Sequence, residues 1–432
     1  MRLLIIGAGP GGYETAVEGA KQGMEVTLIS EGPLGGTCLN EGCIPTKTFC
    51  HYAELAESSR KAGFEASLDF GSMVSRKEEV VTRLRSGIES LLRNVTVVCG
   101  KASFKDDRTV VCNGTEYTAD RIIIATGSVS STLPVPGADS TLTSREMLNL
   151  TIIPERLCVI GGGVIGLEFA SIFRSFGSEV TVLEFCPEIL PRFDDDMAKR
   201  LRQSLSRRGI TVETQAQVTT IDGHMVTYVK KGKQLSTEAD RVLMAVGRKP
   251  LTEGLNLEAA GIEYTGKGIK IDSNCQTSVP GIYAIGDVTG GMMLAHVAVF
   301  QGRRALNHIE GRKDSIRYDL VPAAVFTIPE AAAVGLTEKE CRERGIDIKC
   351  LKSFYRANGK AVSMDETDGY CKIITSAVSG EILGCHLMGA HSSDLVHEMA
   401  VAMKCGLKTD GMRDVIHAHP SLSEVLQSAF HQ

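Results

Sequence analysis

Two cysteines separated by four residues, Cys38 and Cys43, stand in the segment GGTCLNEGCIPTKTF, residues 35–49. Pro45 follows closely, and proline suits the first turn of a helix, where its missing N–H costs nothing. The spacing predicts Cys43 just upstream of a helix N-terminus, where the helix dipole stabilises a thiolate. A thiolate beside an electron-accepting ring is what disulfide exchange coupled to a redox cofactor requires. On residue types alone two other readings stay open. The chain holds thirteen cysteines, so this pair could be two small apolar core residues. A zinc site would need a second nearby CxxC or His pair to complete four ligands, and the sequence offers none. Toward the other end, HAHPSLSE, residues 417–424, sets His419 five residues before Glu424. Histidine cycles a proton near neutral pH, and a carboxylate partner would fix its tautomer and raise its basicity. The plainer reading is a helix start, with Ser421 and Glu424 at capping-box spacing and Pro420 in the opening turn.

The elements that must position these groups are also legible. RLLIIGAGPGGYETAVEGAKQGMEVTLISE, residues 2–31, and RLCVIGGGVIGLEFASIFRSFGSEVTVLE, residues 156–184, follow one pattern. Each is an apolar strand, a glycine loop, a helix, a second strand and a terminal Glu. This is the βαβ dinucleotide fingerprint, present twice. Gly7 and Gly161 permit the tight turn, Gly9 and Gly163 let backbone approach a pyrophosphate, and Gly12 and Gly166 let helix and strand pack closely. Helix-start N–H groups then hold the phosphates. Glu31 and Glu184 are placed to accept hydrogen bonds from a ribose diol, and an acid at the second site favours NADH over NADPH. The cysteine pair falls in the loop after Glu31. The runs DRIIIATGS (120–128), DRVLMAVGRKP (240–250) and GIYAIGDVTGG (281–291) read as further strands of the same two domains. Past about residue 316 the glycine grammar stops, and alternating runs plus the helix SDLVHEMAVAMKCG read as a third, α+β domain.

The 432 residues contain 43% apolar and 23% charged side chains, ordinary for a globular chain. The net charge of −5 argues against nucleic acid as the main partner, and no stretch has the length and apolarity of a membrane span. The odd, scattered cysteines do not form a small secreted disulfide scaffold. The first glycine loop begins six residues in, which leaves no room for a cleavable signal. A cytoplasmic, reducing location is expected.

With GAGPGGY, GGTCLNEGCIPTK, ATGS, GGGVIGLEFAS, AVGRKP, AIGDVTGGMMLAH, IPEAAAVGLTE and HAHPSLSE in order, the chain resembles the pyridine nucleotide–disulfide oxidoreductases. The resemblance covers nearly the whole length. It implies an α/β fold with two Rossmann-like nucleotide-binding domains, for FAD and NAD, and a C-terminal α+β dimerisation domain. Residues 1–142 and 249–315 would bind FAD, 143–248 NAD, and 316–432 would form the dimer interface. Cys43 would be the flavin-proximal sulfur and Cys38 the interchange thiol facing substrate. Lys47 would lie near the flavin N5 and pair with Glu168, and Asp287 would bond the FAD ribitol. His419, oriented by Glu424 and preceding a cis Pro420, would act as acid/base on the other subunit of a homodimer. Thr37, Thr126, Gly127, Gly247, Gly286 and Ala295 carry over as further cofactor-binding positions, and no metal is implied. Within the family, MMLAHVA and HAHPSLSE resemble the dihydrolipoamide dehydrogenases. Val164 stands where glutathione reductases carry Tyr, and Glu184 is followed by Phe-Cys-Pro rather than by arginines. No cysteine lies beyond Cys405. The expected reaction oxidises dihydrolipoamide with NAD⁺. The expected partners are lipoyl domains of a 2-oxoacid dehydrogenase or glycine cleavage complex. The alternative is a related NAD(P)H-dependent reductase of another low-molecular-weight disulfide. Ser421 and Val425 depart from the commoner residues.

Overall fold

The strand Arg2–Ile6 is buried at four of its five residues, as a parallel strand covered on both faces by helices must be. In the computed structural model, which describes residues 1–64 and 69–432, this strand is central. It sits in a parallel sheet ordered Ile282–Ala284, Arg121–Ile124, Arg2–Ile6, Glu25–Ser30, Thr96–Cys99. The chain extends the sheet first to one side of Arg2–Ile6 and later to the other. The loop after that strand therefore lies at a topological switch point, where open α/β sheets bind ligands. The core beneath it includes Ile5, Leu28, Ile123 and Tyr283. An antiparallel meander, Ala102–Phe104, Thr109–Cys112 and Thr115–Thr118, is inserted before Arg121–Ile124.

The same plan recurs. A parallel sheet is ordered Ile210–Thr214, Glu179–Glu184, Arg156–Ile160, Arg241–Met244, again with an antiparallel meander, Gln217–Asp222, Met225–Lys230 and Lys233–Glu238, inserted before the last strand. The C-terminal segment builds a five-stranded antiparallel sheet ordered Ala323–Val325, Ala331–Gly335, Ile382–Met388, Tyr370–Ser376, Ile348–Phe354. The helices Ser392–Lys404 and Glu424–Phe430 bury Met399, Leu426 and Phe430 in one core with Tyr355 and Ile373 from the sheet region.

The chain folds as two compact units. The first comprises Met1–Thr48, Gly71–Ser131 and Gly247–Ile316; the second comprises Phe49–Phe70, Thr132–Val246 and Arg317–Gln432. Within the second, Lys372 of the antiparallel sheet is 1% exposed and pairs with Asp194 at 2.9 Å, Asp196 at 3.1 Å and Glu338 at 2.5 Å. Burial alone would lower the Lys372 pKa; the hydrogen-bonded carboxylates outweigh it and raise it. Removing Lys372 would leave the buried Asp194 carboxylate without its cation, a cost of about 3–5 kcal/mol. Among the described residues no helix is long and apolar enough to cross a membrane.

Candidate active site

The cysteine segment folds against the first glycine loop, within the first unit. The Gly35 N–H donates to the Ala8 carbonyl at 2.9 Å, and Gly36 sits so close that a Cβ there would lie 2.6 Å from the Gly9 Cα. Cys38 lies on a short helix, Gly36–Glu41, which the sequence reading left as loop. Asn40 fastens that helix, donating to Leu34 O at 3.0 Å and Gly36 O at 2.8 Å and accepting from Arg85 at 2.6 Å. Neither Asn40 nor Arg85 was anticipated; the Asn-Glu-Gly run after Leu39 carries no signal of a partner 45 residues away.

Cys43 is not upstream of a helix but is the first residue of one, Cys43–Lys61. The Thr46 N–H closes the first turn on Gly42 O at 3.1 Å, so Pro45 is the third helical residue. The first turn has no intrahelical partner for its N–H groups, so a proline is as welcome there as at the first position. The correction strengthens the chemical point, because Cys43 sits at the positive end of a 19-residue helix. The two thiols hydrogen-bond to each other, and that bond, then burial, raises the Cys38 pKa well above an ordinary thiol. Lys47, one turn along from Cys43, pulls the other way. The shared hydrogen bond and burial thus favour the protonated form of half-buried Cys38, beside the exposed Cys43.

The rest of the first unit supplies a nucleotide cradle. Gly9 caps the helix Pro10–Lys21 with no side chain on its N–H groups, and the space beside Gly9 is open. At Gly12 a Cβ would lie 1.9 Å from the Gly7 carbonyl oxygen, so only glycine lets strand and helix approach. Thr126 bonds Leu251 O at 2.7 Å, and Gly127 follows with a positive φ of 78°. Asp287 opens a short turn after Ile282–Ala284 and accepts from Ser128 Oγ at 2.5 Å, which in turn accepts from Arg248 at 2.7 Å. The Gly286 N–H donates to Gln301 at 2.6 Å, and Ala295 begins the helix Ala295–Ile309. The Ser131 N–H donates to Gly247 O at 2.9 Å. Thr37 and Glu31 are exposed. Open backbone N–H groups, an acidic side chain past each strand end and a cysteine pair on the same loop fit a flavin dinucleotide.

The second loop repeats the cradle. Gly163 caps Val164–Ser175 without a side-chain bond and has open space beside it, whereas a Cβ at Gly166 would lie 2.0 Å from Gly161 O. Glu184 is 7% exposed. It accepts from the Gly162 N–H at 2.5 Å and from the Cys186 N–H at 2.6 Å. Glu168 is buried on the helix behind this loop and accepts from the Phe326 N–H at 3.0 Å.

Also in the second unit, His419 Nδ1 lies 2.9 Å from Glu424 Oε1, and the imidazole is 77% exposed. The other Glu424 oxygen accepts from the Ser421 N–H at 2.8 Å. These bonds, Ser421 first and His419 next, hold the Glu424 carboxyl below the usual carboxylate range. A carboxylate on Nδ1 fixes that nitrogen as the N–H, leaving Nε2 to accept a proton. The His419-Pro420 bond is cis. The helix does not start at Ser421: it runs Glu424–Phe430, and the Ser421 hydroxyl is buried without a partner. The Ser-x-x-Glu spacing served the histidine rather than a capping box, since Glu424 is the first helical residue and reaches back past Pro420. Among the described residues no group of His, Cys, Asp or Glu is arranged to hold a metal ion.

Residues 1–302 match the family described as pyridine nucleotide-disulphide oxidoreductase, and residues 321–430 match the dimerisation domain of the same family. The chain is 40% identical to a dihydrolipoyl dehydrogenase of Geobacillus stearothermophilus over 444 residues, covering 99% of this chain and 94% of that one. It is 41% identical to one of Chlamydia muridarum, covering 98% and 94%. Among solved structures, the HOCl-induced flavoprotein disulfide reductase RclA of Escherichia coli superposes with a TM-score of 0.91 at 34% identity, covering 100% of this chain and 99% of that one.

Proposed function

The chain belongs to the pyridine nucleotide–disulphide oxidoreductase family, and from that membership we propose that it oxidises dihydrolipoamide to lipoamide with FAD and NAD⁺, through a reversible Cys38–Cys43 disulfide. The observation that carries the reading is the hydrogen-bonded thiol pair pinned onto the first glycine loop. Bound FAD would supply a two-electron relay between the reduced cysteines and NAD⁺. The chain's own residues do the rest. His419, from the partner subunit of a homodimer, takes a proton at Nε2 from one substrate thiol, with Glu424 holding its ring. The resulting thiolate attacks Cys38 of the oxidised pair, breaking the S–S bond and leaving Cys43 as thiolate. The second substrate thiol then attacks the mixed disulfide, freeing Cys38 as a thiol and lipoamide as product. Dihydrolipoamide thereby loses two electrons and two protons; NAD⁺ accepts the electrons with one proton, and the other goes to solvent.

Gly7, Gly9, Gly12, Thr126, Gly127, Gly286 and Asp287 would hold FAD, with Glu31, Thr37 and Ala295 at its edges. Gly161, Gly163, Gly166, Glu184 and Gly247 would serve NAD. Lys47 would tune the flavin side of the pair with Glu168 as its counter-charge. The physiological substrates are lipoyl groups on a 2-oxoacid dehydrogenase or glycine cleavage assembly, and thirteen cysteines suit a reducing cytoplasm. The test is steady-state kinetics of the purified holoenzyme. Dihydrolipoamide with NAD⁺ should give the highest kcat/KM, and Cys38→Ser should lower it at least about 10³-fold while NADH oxidation by an artificial acceptor survives. The likeness to RclA keeps one rival: if another small disulfide with NADPH is turned over with higher kcat/KM, the substrate assignment is wrong.

A further inference from the structure

Two residues before His419, the ring of His417 is engaged at both nitrogens. Nδ1 faces the Val415 carbonyl oxygen at 3.1 Å and Nε2 faces Glu398 Oε1 at 2.8 Å. A carbonyl oxygen only accepts, so Nδ1 must carry a hydrogen. Glu398, on the helix Ser392–Lys404, presents a carboxylate oxygen, which accepts. Nε2 must then carry a hydrogen as well. An imidazole with hydrogens on both nitrogens is a cation, and here only 5% of the His417 side chain is exposed. We propose that the His417–Glu398 ion pair is a positioning device for the His419–Glu424 dyad, placing a fixed positive charge beside it and fastening the segment that carries His419 to the helix Ser392–Lys404. The proposal rests on the reading of His419 as the acid/base.

Two observations support it. The Glu424 carboxyl that orients His419 is held low first by the Ser421 N–H and by His419, and a charged His417 adds a smaller pull in the same direction. The Val415 carbonyl also accepts from Gln427 Nε2 at 3.4 Å, so the segment is tied to the helix Glu424–Phe430 on its other side. The charged groups set against the ring are Glu398 from one helix, at 2.8 Å, and Glu424 from another. Arg413, at the end of Thr409–Arg413, spends its guanidinium on Phe430 O at 2.8 Å and Asp410 at 3.2 Å. His417 is a positioning residue; nothing here has it touch substrate.

The test has a spectroscopic and a kinetic arm, both on the dimeric holoenzyme. Nitrogen-15 NMR, assigned with His417→Gln, should show both His417 nitrogens protonated at pH 7, and Glu398→Gln should convert the ring to a single neutral tautomer. Kinetically, His417→Gln should move the acid limb of the kcat/KM profile for dihydrolipoamide upward by about 0.5–1 pH unit, with a smaller upward shift for Glu398→Gln. The loss should shrink as pH rises. A neutral His417 in the wild-type protein would overturn the proposal, whatever the substrate. So would a loss of activity uniform across pH, which is the mark of a purely structural role. Failure of the wild type to turn over lipoamide would instead strike the reading of function and leave the NMR result standing.

Discussion

The two glycine loops carry one fingerprint and end in the same acid, yet the acids are held differently. Glu31 is exposed at the end of its strand, whereas Glu184 is buried with one oxygen on the Gly162 N–H and the other on the Cys186 N–H. The difference traces to one position. The first loop reads Gly7-Ala8-Gly9 and the second Gly161-Gly162-Gly163. A Cβ at Gly162 would lie 3.1 Å from Glu184 Oε2 and 3.0 Å from Ile189 Cγ2, so the middle glycine makes room for the carboxylate to fold onto the loop. In the first loop, the Ala8 carbonyl instead receives the Gly35 N–H of the cysteine segment. On the proposed assignment, the second loop preorganises an acid for NAD, a ligand that must come and go, and the first anchors the cysteine segment beside FAD, a cofactor that stays.

The contrast can be broken by parallel substitutions. The largest effects come from the closest approaches. Gly12→Val and Gly166→Val each force a side chain into a carbonyl about 2 Å away, beyond what overpacked sites usually absorb. Gly12→Val should purify with FAD occupancy below about a tenth of wild type, read from flavin absorbance per chain. Gly166→Val should keep its flavin and its reduction by dihydrolipoamide while losing reduction by NADH. Equal flavin loss in both would erase the distinction between the loops.

Next come the acids. Glu184→Ala strands the buried Gly162 N–H and the half-buried Cys186 N–H and removes the proposed ribose acceptor. Charge-assisted bonds of this kind contribute about 1.5–3 kcal/mol, so the KM for NADH should rise roughly 10–100-fold. Glu31→Ala, at an exposed position, should weaken FAD retention by less than about tenfold, measured by refilling apoprotein with FAD. The smallest effect isolates the middle residue. Gly162→Ala should raise the KM for NADH by a few-fold, on the order of 1 kcal/mol or less, with kcat nearly constant in stopped-flow reduction. A KM unchanged by this substitution would mean that the Glu184 contact with the loop is incidental.

Sequence-local features were the legible ones. Both fingerprints, the strands Arg121–Ile124, Arg241–Met244 and Ile282–Ala284, and the switch to an α+β C-terminal segment follow from periodicity and glycine spacing over about 30 residues or fewer. The His419–Glu424 contact was legible through the family resemblance, since the spacing alone left a helix start equally open. Where the reading slipped, a local signal had two structural solutions. Proline fits anywhere in a first turn, so Pro45 left the start of its helix uncertain by two residues, and Ser-x-x-Glu fits both a capping box and a carboxylate reaching back. What escaped altogether lies in tertiary pairing. Asn40 with Arg85, Lys372 with Asp194 and Glu338, and His417 with Glu398 join residues 19 to 178 positions apart. A buried lysine has no pattern of its own; the strand Tyr370–Ser376 holds no other charge, and only the fold brings its three carboxylates.

The central claim is that Cys38 and Cys43, and no others among the thirteen cysteines, open and close as a disulfide in step with the nicotinamide. Alkylation of the denatured protein, with sites mapped by mass spectrometry, measures this directly. Air-oxidised holoenzyme should expose eleven reactive thiols, two fewer than the sequence contains. Holoenzyme treated anaerobically with NADH should expose all thirteen, the gain falling on Cys38 and Cys43. A gain at any other pair, or no change between the two states, would contradict it.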